Sequence, residues 1–182
     1  MESPVKLLKT VRADTSDTFV FEKAAEAGEW AVSGAFLFAN LDPMTLSGRP
    51  RAAFRGGFLG VSSFGWSTLA QIVEVAAEER ATAVTQLAAR LVEHCGAPDL
   101  ATARPAAEEE IEFAASLCNH TAGMLIAVSR RYENETIRES FRTLRANPSG
   151  QSPVFSFIEL IDEEPALTEH SSLPELVNRA RQ

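Results

Sequence analysis

The run from Trp30 to Phe38 is apolar on both faces of an extended chain, with Trp30, Val32, Phe36 and Phe38 on one side and Ala31, Ala35 and Leu37 on the other. A strand of that kind must be covered on both sides, which predicts the centre of a sheet. Before it, Val5, Leu7 and Val11 alternate with Lys6, Thr10 and Arg12, a half-buried strand. After the polar turn Ala13 to Asp17, Thr18 to Glu22 places Phe19 and Phe21 on one face and reads as the other arm of a hairpin.

Pro43 behind Asp42, and Pro50, suit the first positions of short helical turns. Ser67 to Val75 alternates as a strand, with Leu69, Val73 and Val75 on one face, and is expected to pair with the strand before it. Glu78 to Cys95 carries Val84, Leu87, Leu91 and Cys95 on one helical stripe and stops at Gly96. A second helix opens at Pro105, with Glu108, Glu109 and Glu110 near its positive end and Ile111, Ala114, Ala115 and Cys118 on its stripe. Met124 to Tyr132 is a strand that turns polar at Arg130 and Arg131. Asn134 then caps a helix with the stripe Ile137, Phe141 and Leu144. Asn147 to Gly150 is an exit loop, Val154 to Ile161 a last strand, and Ser172 with Glu175 a capping box for a C-terminal helix. Strands first, then helices alternating with strands, predict an α+β fold: one largely antiparallel or mixed sheet of about six strands with helices packed on a face. No repeat or linker divides residues 1–182, a length that suits a single domain.

The charge balance bounds the partners. Lys and Arg number 17 against 25 Asp and Glu, a net charge of −8, which repels phosphate backbones and anionic lipid and excludes nucleic acid. No apolar window reaches the ~18 uninterrupted residues of a membrane span, and Lys6 and Lys9 break any signal-peptide core. The expectation is a cytoplasmic protein. Its two cysteines are too few for a disulfide scaffold, and the sequons at Asn119 and Asn134 matter only on an exported chain.

Three constellations could carry chemistry. Arg49, Arg51 and Arg55 lead into Gly56, Gly57 and Gly60, and guanidinium groups beside glycines can grip a phosphate or carboxylate. The stretch matches neither a Walker loop nor the dinucleotide fingerprint, and turn punctuation with paired arginines is the bland alternative. His94 and Cys95 at one helix end, with Cys118 and His120 at another, form the residue set of a zinc site if the ends meet, but their spacing is poor. Both cysteines extend apolar stripes, so buried small hydrophobes are the preferred reading, with no metal and no cofactor expected. The acids Glu108, Glu109, Glu110 and Glu112 read as a solvated face at a helix start. Trp30, Phe36, Phe38, Phe54, Phe58, Phe64 and Trp66 read as core, with a homodimer interface through this half carried as the alternative.

The stretch Lys6 to Glu22 resembles the opening of an uncharacterised proteobacterial family of about this size. The likeness continues at Gly28 to Val32, Phe54 to Gly60, Phe64 to Leu69, Glu108 to Cys118 and Ile137 to Arg145. It implies a bacterial cytosolic protein and carries over no catalytic residue.

The reading that follows is a non-enzymatic accessory or binding protein, holding a small anion or a partner protein near Arg49 to Gly60. The alternative is a small enzyme acting on an anionic metabolite, with Arg51 and Arg55 positioning substrate and His94 or His120 as acid or base.

Overall fold

The computed structural model describes residues 4–12, 15–146 and 157–164. The expected exit loop at Asn147, the C-terminal helix and His170 lie outside them. Eight strands form one sheet: β1 (Val5–Val11), β2 (Trp30–Val32), β3 (Phe58–Gly60), β4 (Trp66–Ser67), β5 (Leu69–Val75), β6 (Leu125–Glu133), β7 (Thr136–Ala146) and β8 (Phe157–Glu164). Their order is β4-β3-β2-β1-β5-β6-β7-β8, and every neighbouring pair is antiparallel. The helices are α1 (Asp17–Val20), α2 (Gly48–Gly56), α3 (Ala77–Cys95) and α4 (Leu100–Ser116), with 3₁₀ turns at Ala35–Phe38 and Pro43–Thr45. The α+β class and the antiparallel sheet match expectation, with eight strands in place of about six.

The sheet curls. The rings of Phe58 on β3 and Phe141 on β7 stand 6.3 Å apart although four strands lie between them in the order. Phe113 of α4 packs edge-on against Phe141 at 5.7 Å, so α4 covers the inner face. α3 lies along α4, burying Val84, Leu87 and Leu91 on the expected stripe.

The centre of the sheet is β1, not the Trp30 to Phe38 run. β2 and β5 pair with its two edges, and Leu7 and Leu8, which point to opposite faces, are both buried. The apolar run is buried but only its first three residues are extended. Gly34 takes a left-handed backbone (φ 77°), and a Cβ there would stand 2.7 Å from the Leu59 side chain, so the chain turns away through a 3₁₀ turn that still buries Phe36 and Phe38.

Thr18 to Glu22 is not a strand. The Asp17 carboxylate accepts from the Thr68 hydroxyl at 2.5 Å and the Thr68 amide at 3.2 Å, which pins a single helical turn that buries Phe21 and leaves Phe19 exposed. β5 pairs with β1 and β6 rather than with β4, which precedes it. α4 starts five residues before Pro105: the Asp99 carboxylate accepts from the Thr102 amide at 2.7 Å, a stronger start signal than the proline. Asn134 caps no helix. With Glu135 it forms a two-residue turn, both residues at positive φ (51° and 62°), and the chain returns as β7 in a tight hairpin with β6.

Candidate functional site

Alternation along β6 puts Val128, Arg130 and Tyr132 on the face that meets α2. The polar switch expected at Arg130 therefore happens inside the protein. Arg130 is 2% exposed, and each of its nitrogens is used. Nε donates to Glu139 Oε2 at 2.9 Å on the neighbouring strand. Nη1 donates to the carbonyls of Ala53 (3.3 Å), Phe54 (3.1 Å) and Gly57 (2.7 Å). Nη2 donates to the carbonyl and hydroxyl of Ser33, whose own hydroxyl donates to Glu139 at 2.5 Å. A helix leaves its last carbonyls unsatisfied and carries partial negative charge there. Arg130 caps the end of α2 from within the core and ties it to β2 and β7.

Burial pulls the guanidinium pKa down, while Glu139 and then Glu110 oppose it. An arginine starts so high that it stays charged. Glu110 is 2% exposed, which corrects the reading of the acidic run as a solvated face. The earlier start of α4 puts Glu110 mid-helix on the sheet side. Glu108 and Glu112 are exposed as expected, pairing with Arg104 at 3.3 Å and Arg80 at 2.8 Å.

With its carbonyl end fixed, α2 turns Arg51 and Arg55 outward, one helical turn apart on one face. They line a cleft of about 310 Å³ together with Pro43, Met44, Phe54 and Tyr132; Arg130 forms its inner wall and Arg131 and Glu133 border it. Arg131 and Glu133 pair at 3.5 Å, and Glu133 also meets Arg138 at 3.6 Å. Glu133 is therefore a carboxylate of the cleft lining, and Arg131 beside it and Arg138 of β7 engage it. Among the described residues Arg51 and Arg55 have no carboxylate within 4.0 Å, so they supply the cleft's unneutralised charge.

Of the residues singled out from the sequence, Arg51 and Arg55 line the cleft. Arg49 is exposed on α2 and does not, and neither do Gly56, Gly57 and Gly60. Gly56 ends α2, while a Cβ on Gly57 would stand 2.8 Å from the Trp66 ring and one on Gly60 2.8 Å from the Ala25 Cβ. Those glycines admit neighbouring protein.

His94 stacks on Phe64 with ring centroids 4.6 Å apart, and the His120 carbonyl accepts from Lys6 Nζ at 2.9 Å. Neither histidine lines the cleft. Burial pushes the Cys95 thiol up to about 11, and pushes Cys118 up to about 12 against the opposing charge of Lys6. Cys118 Sγ donates to the Ala114 carbonyl at 3.3 Å. Among the described residues no three His, Cys, Asp or Glu side chains group to hold a metal, and no helix is long and apolar enough to cross a membrane.

The sequence reading missed Met44, Tyr132 and the buried Ser33, Glu110, Arg130 and Glu139. The signal present was phase: Arg130 continues the even-numbered Ile126 and Val128, and Glu139 precedes Phe141 by two. Compared with known proteins, residues 5–157 match the model of a family of unknown function, DUF6505. No curated protein and no solved structure matches.

Proposed function

The chain belongs to this family of unknown function, and from its geometry we propose that it is a non-enzymatic module that binds a small anion in the cleft beside α2. One observation carries the reading. In a chain of net charge −8, Arg51 and Arg55 face an open cleft with no carboxylate partner among the described residues. Guanidinium groups bind carboxylate and phosphate through paired hydrogen bonds, and a cleft of about 310 Å³ lies at the small end of ligand pockets.

The enzyme alternative needs a proton carrier within reach of the held substrate. Neither His94 nor His120, the acid or base that alternative names, lines the cleft. The bacterial cytosolic setting and the homodimer belong to the same proposal, and size-exclusion chromatography tests the dimer.

Isothermal titration with inorganic phosphate and with citrate, on wild type and on Arg51→Ala/Arg55→Ala, tests the site. Both side chains are exposed, so the variant folds. Loss of two charge-assisted contacts weakens binding about tenfold or more. Equal affinity in both proteins would remove the proposal.

A further inference from the structure

We infer that the ligand of this cleft, taking the anion-binding reading as given, is an anionic head joined to a flat apolar body rather than a bare anion. The volume of about 310 Å³ is room for about ten water molecules, well beyond what one phosphate fills. The surplus space is walled by Pro43, Met44, Phe54 and the ring of Tyr132.

Met44 is 75% exposed, the highest exposure among the large apolar side chains described. It does not project from a slack loop. Asp42 Oδ1 accepts from the Met44 amide at 2.9 Å, the Thr45 hydroxyl donates to the Asp42 carbonyl at 2.7 Å, and Pro43 is buried at the first position of the turn. The backbone thus holds a thioether in water at the lip of a cationic cleft. Methionine adapts its shape to flat apolar groups and makes favourable sulfur–ring contacts.

Across the cleft, Tyr132 packs its ring on the cluster of Phe21, Phe38 and Phe54. Its hydroxyl has no protein partner among the described residues and is left to meet a polar atom of the ligand. With the lining carboxylate of Glu133 engaged by Arg131 and Arg138, two guanidiniums, one flat ring, one thioether and one hydroxyl are left to complement an aryl phosphate or aryl carboxylate.

The test uses titrations of wild type, Met44→Ser and Arg51→Ala/Arg55→Ala with three probes: inorganic phosphate, phenyl phosphate and benzyl alcohol. Wild type should bind phenyl phosphate about tenfold more tightly than inorganic phosphate, from the ring area removed from water. Met44→Ser should reduce that advantage and leave inorganic phosphate unchanged. Equal affinity of wild type for the two phosphates overturns this inference while the anion reading stands. Benzyl alcohol binding as tightly as phenyl phosphate overturns the anion reading itself, as does unchanged phosphate affinity in the double arginine variant.

Discussion

Replacing Arg130 by methionine keeps the apolar stem and deletes the guanidinium. Glu139 loses its charged partner inside the core, and the carbonyls of Ala53, Phe54 and Gly57 lose their donor at the end of α2. Removing one member of a buried ion pair costs about 3–5 kcal/mol, because the other charge is left desolvated. The stranded carbonyls cost more, though not additively. About 4 kcal/mol is therefore the expected loss, against a total stability of about 5–15 kcal/mol for a domain. For a chain of this length that corresponds to a fall in Tm of about 8–16 °C. Urea unfolding followed by circular dichroism measures it. Adding Glu139→Gln to the variant removes the buried charge that has lost its guanidinium and should return about 1–2 kcal/mol. A variant within about 1 kcal/mol of wild type, or a double variant no better than the single, would refute the idea that Arg130 anchors α2.

Gly34→Ala should cost about 3 kcal/mol or more, from backbone strain plus collision with Leu59 and Trp66, whereas Gly48→Ala, at φ 61° with open space around it, should cost only about 1 kcal/mol; equal costs in thermal unfolding would contradict the packing at Gly34. Glu135→Gly relieves a non-glycine residue held at φ 62° in the hairpin turn and should stabilise by about 0.5–1 kcal/mol; a drop in Tm would argue against that turn. Cys95 and Cys118 hold their protons to about 11 and 12 when folded, against an ordinary 9.0. Stability is therefore complete below about pH 9 and falls as pH rises toward the folded values. At pH 8 the buried Cys118 thiol should react slowly with a disulfide reagent until denaturant is added, and its rapid native labelling would contradict that burial.

What the sequence made legible was whatever obeyed a single period. The stripe of α3 and its stop at Gly96 are readable because burial there is uniformly apolar, whereas β1 is recognisable as a strand but buries Leu8 and Thr10 on the face its alternation leaves to solvent. β7 was read as a helix because Ile137, Phe141 and Leu144 also fit a helical spacing, and its inward face is interrupted by Glu139. The same buried charge explains why Glu110 reads as part of a solvated face and Arg130 as the point where its strand turns polar. An ion cluster closed within the core erases the hydrophobic pattern on each element that contributes to it. Asn134 added to the error, since asparagine serves both as a helix cap and at positive φ. On the candidate site, Arg51 and Arg55 were visible as a local excess of cations, while Met44 and Tyr132 reach it only through the fold.

The central claim is that α2, fixed from inside by Arg130, presents Arg51 and Arg55 as an anion site. Proton–nitrogen correlation spectra of the arginine Nε groups, recorded during titration with inorganic phosphate, address it most directly. The account predicts saturable shifts at Arg51 and Arg55, with Arg130 and the surface-paired Arg80 unmoved. Shifts at Arg80 and not at α2, or no saturable shift at either arginine, would contradict it.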